Sequence, residues 1–190
     1  KVSASQVAEA IRPDTLRVSI MFANNAAGVI QPIGEIARVC REKGVLFHTD
    51  ATQSVGKVPV DVHAWGCDLL SLSAHKFYGP KGVGALFIRR GVQVEPLLSG
   101  GGQERGLRSG TLNVPGIVGL GAAAELCRVE MAAETAHVTR LRNRLWDALR
   151  TRVPECCLNG HSTERLPGNL NIRVPGVDGG ALLIALKDFA

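Results

Sequence analysis

Short apolar runs alternate with helix-periodic segments along this chain. Runs rich in β-branched and aromatic residues lie at 16–23, 45–49, 68–72 and 83–88, each of a length suited to a buried strand. Between the first two, Ile33, Ile36, Ala37, Val39 and Cys40 recur at helical spacing and predict a helix over 33–43. A helix-like segment stands at 5–12, and a short helix is expected near 62–64. Beyond a glycine-rich stretch, the pattern predicts helices over 114–127 and 131–152, strands near 156–158 and 169–173, and a helix near 179–187. Alternation of β and α elements points to an α/β fold, a mostly parallel sheet flanked by helices, followed by the start of a small α+β domain. A change of pattern near Glu130 divides the chain into 1–130 and 131–190.

Composition narrows the picture. With 190 residues, 45% of them hydrophobic, the chain can bury a substantial core. A net charge of +5 invites a nucleic-acid reading, and Arg140, Arg142, Arg144, Arg150 and Arg152 cluster on one segment. Leu141, Leu145, Trp146 and Leu149 repeat there at helical spacing, so the arginines read as the solvated outer face of an amphipathic helix. Aromatic residues make up 4% of the chain, which leaves few stacking platforms and argues against that class. Five cysteines without CxxC or zinc spacing argue against a disulfide framework. Cys40 reads as core, and His48, alternating along a strand, as structural. His63, His137 and His161 lack partners at metal-ligand spacing, so no metal is expected. No apolar run approaches the ~18 residues of a membrane span, and a reducing cytoplasm is the simplest compartment.

The chemistry concentrates in Ser73-Ala74-His75-Lys76, at the mouth of an apolar strand and ahead of the turn Phe77-Tyr78-Gly79-Pro80-Lys81-Gly82. A partly desolvated amine loses its proton more easily, and the neutral form condenses with an aldehyde. On Lys76 alone a surface lysine is the plainer reading. A second cluster, His48-Thr49-Asp50-Ala51-Thr52-Gln53-Ser54, ends the preceding strand. One crossover separates the two clusters, and parallel strands so joined present their carboxyl ends on one sheet edge. Asp50, Gln53, Ser73, His75 and Lys76 are therefore expected to converge. A carboxylate for a pyridine nitrogen and a lysine for an aldehyde are the requirements of pyridoxal 5'-phosphate.

These blocks, with Asn24-Asn25 before them and Gly100-Gly101-Gly102-Gln103-Glu104-Arg105 and Arg108-Ser109-Gly110-Thr111 after them, resemble the cysteine desulfurases. These are fold-type-I, class-V-aminotransferase-like enzymes, here of the iron–sulfur and nitrogenase branch. The resemblance implies that Lys76 carries the cofactor and moves protons on the substrate. It implies Asp50 at the pyridine nitrogen, Gln53 at the phenolic oxygen, Thr52 against a ring face, and Ser73 and His75 at the phosphate. Asn25 would contact the phenolic oxygen and the substrate carboxylate, and Thr111 the phosphate of a neighbouring subunit, making a homodimer. Sulfur would pass from L-cysteine to an enzyme cysteine, leaving L-alanine and a persulfide for an iron–sulfur scaffold or another acceptor. Where the family usually has an acidic residue after the paired asparagines, Ala26-Ala27 stand here.

Family members are longer at both ends, so the chain reads as an internal fragment. The ring-stacking histidine, the cysteine loop and the substrate-binding arginine would lie outside it, and the chain alone is expected to be inactive. Selenocysteine lyase and a non-catalytic, partner-binding remnant of the fold are the alternatives.

Overall fold

A computed structural model describes residues 1–189. Four strands form the main sheet: β1 (Arg17–Met21), β2 (Leu46–Asp50), β3 (Leu69–Ser73) and β4 (Gly84–Ile88), in that spatial order. β1, β2 and β3 are mutually parallel, while β4 runs antiparallel to β3 with Ser73 opposite Gly84. The mostly parallel α/β sheet expected from the sequence is therefore present, and Met21, Asp50 and Ser71 share one register row near its carboxyl edge.

Helices α1 (Ala4–Ala10), α2 (Ile33–Glu42) and the short α3 (Val62–Trp65) accompany this sheet. Ser3 caps α1 by accepting from the Gln6 amide, while the Gln6 side chain accepts from the Ser3 amide. Asp61 caps α3 in the same manner, accepting from the amides of His63 and Ala64. The apolar stripe of α2 (Ile33, Ile36, Ala37, Cys40) packs with Phe22, Phe47, Cys67 and Leu70 into the main core, so Cys40 is core as read. A second cluster of Ala74, Phe77 and Ala123 joins the turn after β3 to the next helix.

That helix, α4, is a single 39-residue element, Val114–Arg152, where the sequence pattern suggested two. Its outward positions turn polar at Arg128–Glu130, which reads as a break. No glycine or proline interrupts it there, however, and the inward stripe Leu120, Ala123, Cys127, Met131, Glu134, Val138, Arg142 continues at helical spacing. The boundary drawn at 130/131 thus falls inside a helix.

The phase of the stripe corrects a second expectation. Arg142 lies inward, its Nη1 donating to the Leu166 carbonyl at 3.3 Å, while Leu141 and Leu145 face outward at 48% and 53% exposure. The register set over 116–138 decides which residues turn in, and the local leucine spacing does not. Beyond α4 come β5 (Cys157–Leu158) and β6 (Ile172–Arg173), an antiparallel pair, and α5 (Gly179–Ala185). The strands expected near 156–158 and 169–173 are present in shortened form.

Candidate functional site

The carboxyl edge of β1–β3 gathers most of the predicted residues. The chain leaves β2 at Asp50, whose carbonyl accepts from the Phe22 amide at 2.8 Å, and Ala51 donates to the Ser71 carbonyl at 2.9 Å. These bonds extend the strand pairing one step past the ladder and bring the loops after β1, β2 and β3 side by side. Asp50 Oδ1 accepts from the Thr52 amide at 2.9 Å and fixes the turn that carries Thr52 and Gln53. One carboxylate oxygen is thus anchored, and Oδ2 has no protein hydrogen bond among the described residues.

β3 delivers Ser73 directly into a one-turn 3-10 helix, Ala74–Lys76. Ala74 is fully buried and anchors this turn, with the Phe77 and Gly79 amides both donating to its carbonyl at 3.0 and 2.9 Å. A Cβ at Gly79 would lie 2.8 Å from the Ala74 Cβ and 3.0 Å from that carbonyl oxygen. Ser73 Oγ and His75 Nδ1 are 2.8 Å apart, which pairs the two candidate phosphate donors. Lys76 is exposed in this chain, so the turn, and not burial, is what positions its amine.

Asn24 and Asn25 divide their labour. Asn24 Oδ1 accepts from the amides of Ala26 and Ala27, both at 2.9 Å, and makes the loop turn. Asn25 presents an exposed side chain. Thr111 is exposed, its carbonyl accepting from Arg108 Nη1 at 3.3 Å. The glycine-rich loop before it closes on itself, Ser109 Oγ donating to the Gly101 carbonyl at 2.8 Å and Gly110 to Gln103 Oε1 at 3.1 Å.

Several contributors were missed by sequence reasoning. The Arg165 guanidinium is buried and spends its five N–H groups on the carbonyls of Asn169, Asn159, His161 and Ala27 and on Asn169 Oδ1. Asn169 Nδ2 donates to the carbonyls of Asn25 and Ala26, and Asn171 Nδ2 to that of Ala26, each at 3.0 Å. The loop bearing Asn25 is therefore held by backbone carbonyls, which explains how it keeps its shape with Ala26-Ala27 in place of an acidic residue. Burial lowers the Arg165 pKa, with the Arg142 charge adding to the effect.

Lys57 Nζ lies 3.4 Å from Gln53 Oε1. An ammonium only donates, so it directs the amide oxygen toward itself and turns Nε2 the other way. Burial lowers the Lys57 pKa, Lys76 lowers it further by like-charge repulsion, and Glu134 opposes both. A lysine four residues after Gln53 in a turn was a readable signal for this contact.

Among the cysteines, Cys127 lies near the lysine turn, its Sγ 3.8 Å from the Phe77 carbonyl. Burial raises its pKa, and Glu134 and Glu130 raise it further, which keeps the thiol protonated and unsuited to nucleophilic attack. Cys40, Cys67 and Cys156 are buried. A cleft of about 620 Å³ is lined by Leu72, Gly82–Leu86, Leu107, Arg108 and the start of α4, and the clustered polar residues are not among its lining. Among the described residues no group of His, Cys, Asp and Glu could hold a metal ion.

A parallel sheet whose carboxyl edge gathers a carboxylate, an amide, a hydroxyl–imidazole pair and a primary amine defines an α/β domain equipped for amine–carbonyl chemistry. The sequence profile of the Aminotransferase class-V family matches residues 1–189, and the chain belongs to that family. It is 54% identical over 192 residues to "Cysteine desulfurase IscS" of Anaeromyxobacter dehalogenans (strain 2CP-C), covering 100% of this chain and 48% of that protein. It is 51% identical over 183 residues to the protein of the same name in Rickettsia peacockii (strain Rustic), covering 95% and 45%. Among solved structures, a "NifS-like protein" superposes with a TM-score of 0.92 at 40% identity, covering 99% of this chain and 52% of that one. "SspA in complex with cysteine" superposes at 0.78 with 36% identity, covering 100% and 51%. The chain spans about half the length of the curated relatives it matches.

Proposed function

We propose that this chain carries the cofactor-attachment half of a cysteine desulfurase, a pyridoxal-phosphate enzyme that takes sulfur from L-cysteine and leaves L-alanine and a persulfide. The observation that carries the reading is the meeting of Asp50, Gln53, the Ser73–His75 pair and Lys76 on one sheet edge, in a chain 54% identical to a cysteine desulfurase. The donor set fits the group. Asp50 keeps one carboxylate oxygen without a protein partner, as a pyridinium N–H requires, and Ser73 with His75 offers hydrogen-bond donors to a phosphate.

Pyridoxal phosphate, when bound, supplies an electron sink for the bonds at the substrate α-carbon. The protein's part is holding and proton transfer. Asp50 would hold the ring nitrogen in its protonated form, Gln53 and Asn25 would donate to the phenolic oxygen, and Thr52 would offer a small side chain to one ring face. Ser73 and His75 would hold the phosphate. Lys76 would be the attachment point for the cofactor and the base for the proton at the substrate α-carbon. Thr111, exposed in this chain, would complete the phosphate site of a neighbouring subunit in a homodimer. The sulfur leaves toward an iron–sulfur scaffold or another acceptor protein in the cytoplasm.

Borohydride reduction after incubation with pyridoxal phosphate, followed by peptide mapping, tests the reading. The label is expected on the peptide containing Lys76 and is lost in Lys76→Ala. Labelling on Lys57 or Lys81 in its place overturns the assignment. In a protein competent for turnover, Lys76→Ala abolishes sulfide and alanine release, while Asp50→Ala permits attachment but loses exchange of the substrate α-proton.

A further inference from the structure

Tyr78 stands two residues after Lys76 with φ of +69°, a left-handed conformation that is unfavourable for a bulky side chain. Such a conformation persists where its surroundings hold it. Most of the ring is exposed, 80% by residue, so packing does not supply the restraint. The backbone supplies one restraint, the Gly79 amide donating to the Ala74 carbonyl across Tyr78 at 2.9 Å, and the Tyr78 hydroxyl adds a second by donating to the Glu134 carboxylate. That hydrogen bond raises the Tyr78 pKa, as expected when a carboxylate accepts from the phenol and resists a second negative charge.

Glu134 belongs to the inward stripe of α4, and its neighbours on that face hold the same region. Cys127 Sγ reaches the Phe77 carbonyl at 3.8 Å, and Thr135 Oγ1 donates to the Lys57 carbonyl at 3.0 Å. One helix face thus grips the backbone just after the lysine turn and the backbone of the loop that carries Gln53 and Lys57. Of these three contacts, the Tyr78–Glu134 bond is the one made by the side chain of a left-handed residue.

We propose that Glu134 is a positioning residue for Lys76, acting through the phenol of Tyr78 to hold the turn in the conformation that presents the amine to the cofactor. This rests on the reading of Lys76 as the attachment lysine. Release of the phenol leaves the Gly79–Ala74 bond as the remaining tie on Tyr78 and loosens the end of the 3-10 turn, and with it Lys76, while the Phe77–Ala74 bond at its start stays in place.

The test uses the 190-residue chain with pyridoxal phosphate, borohydride trapping and mass mapping, with Lys81 as an internal reference. Tyr78→Phe and Glu134→Met are each expected to lower the initial rate of labelling at Lys76 about 10-fold relative to Lys81. The double variant should be no worse than either, because both remove one interaction. Tyr78→Asn in the Glu134→Met background is expected to recover labelling to within about 3-fold of the unsubstituted chain, since asparagine tolerates positive φ without a latch. Unchanged labelling in both single variants, additive losses in the double, or a fall shared equally by Lys81 would overturn the proposal. So would lowered thermal stability with the Lys76-to-Lys81 ratio preserved, because that outcome marks a structural contact alone. If the unsubstituted chain is not labelled at Lys76, the assignment of that lysine fails first and the positioning role falls with it.

Discussion

Replacing Arg165 by methionine removes a side chain that no local sequence feature marks, yet the Asn25 loop should fail without it. The guanidinium ties together the carbonyls of Asn159, His161 and Asn169, the Asn169 side chain and the Ala27 carbonyl on the far side of the chain. At about 1 kcal/mol net for each hydrogen bond, the loss approaches ~5 kcal/mol. Methionine spares the cost of burying a charge and keeps much of the aliphatic packing, which leaves a net loss of about 3 kcal/mol. With a urea dependence of about 2 kcal/mol per molar, the unfolding midpoint should fall by about 1.5 M. Amide exchange locates the damage. The Gly28, Ile30 and Leu166 amides, which donate to the carbonyls of Asn24, Glu164 and Gly28, should lose protection first. The β1–β2 amides should keep theirs until global unfolding. A midpoint shift below about 0.3 M, with the three amides as protected as before, would refute the assignment of Arg165 as the tie that holds this loop.

His48 bridges three strands, its Nδ1 2.7 Å from Ser19 Oγ and its Nε2 3.2 Å from Ser71 Oγ. Burial lowers its pKa, Arg17 lowers it further and Asp50 opposes them, so the unfolded chain binds a proton the folded one refuses. This contribution is flat above the unfolded value of about 6.5 and costs stability as pH falls below it, down to the folded value; His48→Gln should flatten urea midpoints measured over that range. Gly28→Ala places a Cβ 2.3 Å from Asn169 Oδ1 at a φ of +73°, and should lower the melting temperature and release the Asn169 bonds to Asn25 and Ala26. An unchanged melting temperature would show that the loop can yield.

How much could be read in advance follows from sequence separation. Asp50, Gln53, Ser73 and Lys76 were legible because each sits at a strand end, and parallel pairing fixes which ends meet. The ties that hold them were not, since Arg165 reaches Ala27 across 138 positions and Tyr78 meets Glu134 across 56. Periodicity reports which face of an element is apolar, but not which distant loop its polar residues will touch. The same limit explains Arg142, read as solvated from the spacing of the leucines around it. Its place on the α4 stripe directs it to the Leu166 carbonyl.

The loops at the carboxyl edge of a sheet are also the least restrained parts of an α/β fold, and a chemical site needs them fixed. Here the restraint comes from later in the chain. The 159–171 segment holds the Asn25 loop through carbonyls, and α4 holds the lysine turn through Tyr78 and Phe77 and the Gln53 loop through Lys57. Carbonyl-directed bonds depend on the path of the backbone and not on the side chains it carries. Side-chain changes at Ala26 are therefore expected to be tolerated at the loop, while substitution of Asn169 or Asn171 is not. Both braces meet through α4 and the loop it carries inward by Arg142 and Leu166. The Asn25 loop and the lysine turn therefore both trace back to α4, through the Arg142–Leu166 and Leu166–Gly28 bonds on one side and through Glu134 and Cys127 on the other.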